Sequence, residues 1–231
     1  MPGEPIPATP TPHAPPPDAV ASLADRVERA AFGSSRFLLG IAGSPGSGKT
    51  TLAAALVAAL NARRPGGAVA LPMDGFHLAN RTLDRLGRRD RKGAIDTFDG
   101  WGFLALLQRV HAETDHTVYA PSFRREVDEG VSGEIAIDPE ARVVVVEGNY
   151  LLVDDGPWAR VREALDEAWF CATPDAIREA RLIERHARHG RSVEAATAWA
   201  REVDGANAAL IETTRVRAGF VVSGETGRFS R

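Results

Sequence analysis

Short apolar runs alternate with longer amphipathic stretches along most of this chain. Each short run is apolar and bounded by turn residues, which predicts buried strands over residues 37–42, 68–72, 142–146, 168–172 and 218–222. Helical spacing or Ala/Leu-rich composition predicts helices over residues 18–32 (with Asp18 as N-cap), 49–63, 101–113, 174–189 and 192–211. Strands that alternate with helices predict an α/β fold with a mainly parallel sheet.

The N-terminal segment has a different composition. Residues 1–17 contain eight of the chain's 15 prolines and almost no large apolar residue. Burial therefore cannot offset the entropy lost on ordering this segment. We predict a disordered tail over residues 1–17 and a single domain over residues 18–231, which is long enough to bury a substantial core.

A glycine-rich turn follows the first predicted strand and opens the next helix. Its sequence, Gly43-Ser-Pro-Gly-Ser-Gly-Lys49-Thr50, fits the pattern GxxxxGK[ST]. The backbone N–H groups of such a loop wrap the phosphates of a nucleotide, with the lysine reaching the β- and γ-phosphates and the Thr50 hydroxyl ligating magnesium. The predicted nucleotide-binding residues are Gly43, Ser44, Pro45, Gly46, Ser47, Gly48, Lys49, Thr50 and Thr51.

Two carboxylates follow predicted strands, at the edge of the sheet where open α/β folds bind ligands. Glu147 ends the valine run, where it could organise magnesium or merely close a core strand. Asp74 follows the strand after the P-loop helix, where it could take a proton from an acceptor hydroxyl or simply stand in an Asp-Gly turn. His77 is less decisive, since a lone histidine is more often a structural group than a catalyst.

These motifs form an ordered series that resembles the P-loop small-molecule kinases, which include bacterial-type pantothenate kinase, uridine kinase and phosphoribulokinase. Within that superfamily the chain most resembles the bacterial nucleoside/nucleotide kinases and fructose-transport-system kinases. The resemblance extends over residues 37–223. Besides the P-loop, it is carried by the segments Met73–Phe76, Arg91–Asp99, Tyr119–Arg124, Glu147–Leu152, Asp204–Asn207 and Thr214–Ala218.

The resemblance implies a three-layer P-loop NTPase fold with a helical lid, and ATP and Mg²⁺ as cofactors. It implies catalytic roles for Lys49, for Asp74 as general base, and for Arg185, which would meet the phosphates from the lid. Glu147 would join Thr50 in the magnesium network. For Arg181, contact with the phosphates and a place on a solvated helical face are equally expected.

The resemblance also points to residues that would hold the acceptor: Asp74, His77, Lys92, Asp99, Tyr119, Arg124 and Tyr150. Asp99 has a competing role as N-cap of the helix near Trp101, and Lys92 could be an ordinary surface charge. His77 and Leu78 differ from the residues expected in pantothenate and uridine kinases, so neither substrate transfers to this chain.

The sequence thus favours a kinase that moves the γ-phosphoryl group of ATP to a hydroxyl of a nucleoside, a sugar or a pantothenate-like metabolite. The alternative is a nucleotide-dependent regulatory or chaperone-like protein without a metabolite acceptor. A net charge of −3 argues against a nucleic-acid partner, and the apolar runs are too short to cross a membrane. We expect a cytoplasmic protein whose partner is a small-molecule acceptor, with a homodimer left open.

Overall fold

A computed structural model of the chain describes residues 15–230. Its strands are β1 (Phe37–Ala42), β2 (Ala68–Pro72), β3 (Val118–Arg124), β4 (Glu129–Ile137), β5 (Val143–Gly148), β6 (Glu167–Ala172), β7 (Phe220–Ser223) and β8 (Phe229–Ser230). Six of them form one sheet in the order β2-β5-β1-β6-β7-β8, in which only β7 and β8 pair antiparallel. The predicted mainly parallel sheet is therefore confirmed.

Helices connect the parallel strands. They are α1 (Pro17–Ala30), α2 (Lys49–Arg63), α3 (Asn80–Leu86), α4 (Gly100–Ala112), α5 (Gly156–Glu163), α6 (Asp175–Arg188), α7 (Val193–Trp199) and α8 (Gly205–Thr213). A π-helical turn over Ala200–Asp204 joins α7 to α8, and a 3-10 turn over Met73–Phe76 follows β2. No helix within residues 15–230 is long and apolar enough to span a bilayer.

The central strands are buried on both faces because helices cover each side of the sheet. Alternate residues of β1 point to opposite faces. Leu38 packs in the cluster that contains Phe103 of α4, and Leu39 packs in the cluster that contains Leu23 of α1 and Leu56 of α2. This arrangement is the three-layer α/β/α architecture that the sequence predicts.

The N-terminus of the domain differs from the prediction in one respect. Helix α1 begins at Pro17 with Pro16 as its N-cap residue, so the prediction of Asp18 as N-cap is wrong. Proline suits the first helical position, where its missing N–H has no intrahelical partner to lose. Pro15 is buried, so residues 15–17 of the predicted tail belong to the folded domain, and residues 1–14 lie outside the described residues.

The sequence pattern also missed the β3–β4 hairpin, which forms a separate two-stranded antiparallel sheet. Most of its residues are exposed or half-buried, and a register shift interrupts the pairing between Ala120 and Ser122. The alternation of apolar and polar residues is correspondingly weak. The hairpin nevertheless approaches the turn after β2, because the carbonyl of Pro121 lies directly against Gly75.

Candidate active site

The P-loop joins β1 to α2 and is shaped by its glycines. Gly46 and Gly48 have φ angles of +78° and +93°, a backbone region that favours glycine. A Cβ atom on Gly46 would lie 2.7 Å from the carbonyl oxygen of Arg178 on α6, so no larger residue fits there. Gly48 is the N-cap residue of α2, whose first-turn N–H groups are therefore available to an anion.

Polar contacts to neighbouring elements hold the P-loop in place. The Ser47 carbonyl accepts hydrogen bonds from Cys171 Sγ at 3.3 Å and from Thr173 Oγ1 at 2.8 Å, both near the end of β6. Burial raises the pKa of the Cys171 thiol to about 11, which fits an inert structural cysteine. Ser47 Oγ is buried and forms no hydrogen bond within the described residues.

Thr50 and Glu147, the two residues predicted to hold magnesium, are in direct contact. Thr50 Oγ1 donates a 3.0 Å hydrogen bond to Glu147 Oε1, across the gap between α2 and β5. Burial raises the pKa of the Glu147 carboxyl above its ordinary value, while the charge of Lys49 acts in the opposite direction. A hydroxyl beside a buried carboxylate matches the hard oxygen donors that Mg²⁺ prefers.

Asp74 lies in the 3-10 turn that follows β2, at the carboxyl edge of the sheet. Its carboxylate Oδ2 is 3.8 Å from the guanidinium Nη2 of Arg125, which belongs to the β3–β4 turn. The sequence analysis did not single out Arg125. Its side chain reaches Asp74 only because the hairpin packs against this turn, so no local sequence signal marks it.

A cavity of about 520 Å³ is lined by eight of the predicted residues, and Gly43, Ser44, Gly46, Ser47 and Gly48 of the P-loop are not among them. Pro45, Lys49 and Thr50 of the P-loop line it, whereas Thr51 lies farther along the first turn of α2 and is not among its lining residues. The other predicted residues that line the cavity are Asp74, His77, Lys92, Glu147 and Arg185. Phosphate-binding and acceptor-binding candidates thus share one space.

Two arginines of helix α6 form hydrogen bonds with the P-loop. Arg181 Nη1 donates to the carbonyl of Gly46 at 3.2 Å, so Arg181 is a P-loop contact and does not line the cavity. Arg178, which the sequence analysis left without a role, is buried and donates to the carbonyl of Pro45 at 3.2 Å. Arg185 lines the cavity, and burial lowers the pKa of its guanidinium. Within residues 15–230 its side chain forms no hydrogen bond or ion pair, which leaves its charge free for a ligand.

Four residues predicted to hold the acceptor do not line the cavity. Asp99 caps α4, since its Oδ1 accepts from the Gly102 N–H at 2.8 Å. Tyr119 is 61% exposed on β3, and Arg124, which is also exposed, pairs with Glu134 of β4. Tyr150 is fully buried, and its hydroxyl donates to the carbonyl of Gly93 at 2.6 Å. Gly93 lines the cavity, so Tyr150 holds a lining residue in place without lining the cavity itself.

Lys92 lines the cavity, but its charge is already engaged. Its Nζ donates to Asn80 Oδ1 at 2.6 Å and to the Asp128 carbonyl at 2.5 Å, and lies 3.2 Å from Asp128 Oδ2. Asp128 is the one non-glycine residue with a positive φ (+53°) in the described part of the chain, a strained conformation of the kind that clusters at functional sites. Lys92 therefore ties the segment after α3 to the β3–β4 turn.

Further cavity residues come from α6, from the segment after it, from the β3–β4 turn and from the end of β5. Among them are Arg125, Asn149, His186, Arg191, Trp199 and Asp204, of which Asn149 and Asp204 belong to segments that carry the family resemblance. His186 Nε2 lies 2.7 Å from Asp204 Oδ2, which joins α6 to the π-helical turn. Among residues 15–230, no group of three or more His, Cys, Asp or Glu is arranged to hold a metal ion.

Comparisons with known proteins bear on the family and the fold. The profile of the Phosphoribulokinase / Uridine kinase family matches residues 38–224. A crystal structure from Silicibacter sp. TM1040, named as a putative fructose transport system kinase, superimposes with a TM-score of 0.77. It is 40% identical and covers 84% of this chain and 94% of that chain.

Two relatives known from their sequences extend the comparison. A Schizosaccharomyces pombe protein named putative uridine kinase is 37% identical over 156 residues, which is 65% of this chain and 66% of that protein. The aligned region is thus slightly less than two thirds of the yeast protein. Escherichia coli YggC is 35% identical over 188 residues, or 80% of this chain and 77% of YggC.

Proposed function

Because this chain belongs to the phosphoribulokinase/uridine kinase family, we propose that it transfers the γ-phosphoryl group of ATP to a hydroxyl of a small metabolite. One observation carries the proposal: Lys49, Asp74 and Arg185 line a single cavity beside the Thr50–Glu147 pair. A phosphate-binding loop, a carboxylate able to take a proton and an unpaired cation are the parts that phosphoryl transfer requires.

The P-loop side of the cavity would hold the nucleotide. The N–H groups at the start of α2 and the charge of Lys49, which lines the cavity, would bind the phosphates. Thr50 and Glu147 would hold Mg²⁺, which when bound neutralises charge on the β- and γ-phosphates. Such a cation would stabilise the charged form of the Glu147 carboxyl, which burial alone disfavours.

The opposite side would hold the acceptor. Asp74 would orient the acceptor hydroxyl and take its proton, with the Arg125 guanidinium 3.8 Å from its carboxylate. Arg185 on α6 would stabilise the charge that spreads over the transferring phosphoryl group. The protein forms no covalent bond to the substrates in such a transfer, so positioning and electrostatics would supply most of the rate enhancement.

Uridine and fructose occur in the relatives' names, and the sequence resemblance adds pantothenate to the acceptors to test. The protein is incubated with Mg-ATP and, separately, with uridine, other nucleosides, fructose, sugar phosphates and pantothenate. ADP release is followed by a coupled assay, and the phosphorylated product is identified by mass spectrometry, with Lys49→Ala as the blank. ADP release without a phosphorylated product from any acceptor would favour the nucleotide-dependent regulator instead.

A further inference from the structure

Arg185 enters the cavity without a partner of its own. It lines the cavity, and its side chain forms no hydrogen bond or ion pair among residues 15–230. Burial lowers the pKa of its guanidinium, and the charge of Arg125 acts in the same direction. Three carboxylates oppose these effects: Asp204, Asp74 and Glu147. A buried cation that another cation repels therefore depends on the placement of its helix to stay in the cavity.

The residue after Arg185 fixes the placement of that helix. His186 Nε2 lies 2.7 Å from Asp204 Oδ2, and only 17% and 11% of the two side chains are exposed. A carboxylate accepts hydrogen bonds, so Nε2 carries the proton of this bond. Asp204 ends the π-helical turn after α7, and π-helical turns are frequent at functional sites. The bond therefore fastens the C-terminal part of α6 to this turn.

The π-helical turn is itself attached to the acceptor side of the cavity. Asn207 follows Asp204 by three positions, which places the two residues on one helical face. Asn207 Nδ2 donates to the carbonyl of Gly93 at 3.4 Å, and the Tyr150 hydroxyl donates to the same carbonyl. Gly93 lies between α3 and α4 and lines the cavity. Continuous contacts therefore lead from the acceptor side, through Asp204, to the helix that carries Arg185.

A second pair joins the same two elements but is exposed to solvent. Arg201 Nε donates to Glu179 Oε1 at 2.6 Å, and the two side chains are 67% and 38% exposed. An exposed pair of this kind contributes little to stability, because water solvates both charges. Glu179 also lies about two turns before His186 on α6. The buried pair is therefore the one that holds the end of α6 beside the cavity.

We propose that His186 and Asp204 are positioning residues, whose hydrogen bond holds α6 so that Arg185 reaches the transferring phosphoryl group. This inference rests on the proposed kinase function. The pair acts through the backbone that carries Arg185, so neither residue has to touch the phosphates. A misplacement of about 1 Å that originates far from the reacting atoms can cost about 100-fold in rate. Loss of the pair should therefore slow turnover even when both substrates still bind.

The test compares two loss variants with a conservative variant and a matched control. Asp204→Ala and His186→Phe each break the bond, and His186→Phe keeps an aromatic ring near Trp199, whose ring centroid is 6.4 Å away. Asp204→Asn keeps an oxygen atom that can accept from Nε2. Arg201→Ala breaks only the exposed pair between the same two elements. Melting temperature and Mg-ADP affinity report whether each variant is folded.

We expect kcat to fall by about 10- to 100-fold in both loss variants, while KM for the acceptor changes by less than about 3-fold. Asp204→Asn should recover most of kcat, and Arg201→Ala should match the wild type. Asp204→Ala is then combined with Arg185→Ala. Because the pair acts through Arg185, it should lower kcat by less than about 3-fold further in that background.

Four results would overturn the inference and leave the kinase proposal standing. Full kcat in both loss variants would show that the bond positions nothing, and an equal loss with and without Arg185 would show that it acts by another route. A raised acceptor KM at unchanged kcat would assign the pair to acceptor binding. Loss of the folded state in both loss variants would make the pair purely structural.

Failure of the proposed function would be seen separately. Absence of transfer to every acceptor by the wild-type protein would contradict the kinase proposal itself, before any variant is made, and this inference would fall with it. The two failures are thus distinguishable.

Discussion

Ser44 Oγ donates a 2.6 Å hydrogen bond to Glu212 Oε1, which joins the P-loop to helix α8. Ser44 is fully buried, so its hydroxyl depends on this partner. At its other end α8 follows Asp204, whose carboxylate contacts His186 of α6. The segment formed by the π-helical turn and α8 therefore contacts both the P-loop and helix α6.

Replacing Glu212 by Ala should weaken nucleotide binding. The change leaves the buried Ser44 hydroxyl unpaired, and a P-loop that must reorder on binding should lose about 5- to 30-fold in Mg-ADP affinity, or roughly 1–2 kcal/mol. Calorimetric titration measures the affinity. Glu212→Gln, which can still accept the hydrogen bond, is the matched control and should stay within a few-fold of wild type. The Ser44→Ala/Glu212→Ala double variant should be no weaker than Glu212→Ala, and additive losses would show that the pair does not act through this bond.

Asp74→Asn separates proton acceptance from nucleotide binding. The amide keeps the shape of the side chain but cannot take a proton, so turnover should fall by about 10²- to 10⁴-fold. Mg-ATP affinity should remain within a few-fold of wild type, because Asp74 lies outside the P-loop and the Thr50–Glu147 pair. Both quantities are measured on one preparation. Near-normal turnover would remove Asp74 as the base, and a parallel loss of affinity would make it a magnesium or structural residue.

Lys49→Ala should remove productive ATP use while the protein remains folded. Within residues 15–230 the Lys49 side chain forms no hydrogen bond or ion pair, so its loss breaks no native contact of that kind. We expect transfer to fall by at least about 10²-fold, as for other groups that stabilise transition-state charge. The melting temperature should change little, as for other substitutions that break no specific native interaction. Unchanged turnover would contradict the assignment of the P-loop.

Two N-terminal deletions should have different effects. Removing residues 1–14 should leave the melting temperature nearly unchanged, because this proline-rich polar stretch has little apolar surface to bury. Removing residues 1–17 should lower it, because Pro15 is buried beside Gly227, and Pro17 begins α1. Differential scanning calorimetry of both proteins makes the comparison. Equal melting temperatures would show that Pro15 adds nothing to the domain.

Local pattern alone determined the part of the fold that carries the nucleotide site. The predicted bounds of β1, α2 and β2 are those of the structure, since a buried strand, a glycine-rich turn and an Ala/Leu-rich helix are each encoded by adjacent residues. For the same reason the sequence pattern was enough to place Asp74 and Glu147 close to the ends of strands and Lys49 at the start of the helix that follows β1. The ends of parallel strands meet at one edge of a sheet, and the three residues do line one cavity.

Tertiary structure decided the acceptor side. Arg125 reaches Asp74 from a hairpin that has little apolar alternation of its own, and Ser44 meets Glu212 across 168 positions of the chain. Conversely, Tyr150 is fully buried, and the Asp99 carboxylate accepts a hydrogen bond from the Gly102 N–H of its own helix. Neither residue lines the cavity. The sequence states which groups are capable of chemistry. Which of them meet depends on the packing of distant segments, because a side chain's partners are set by the long-range contacts of the folded chain.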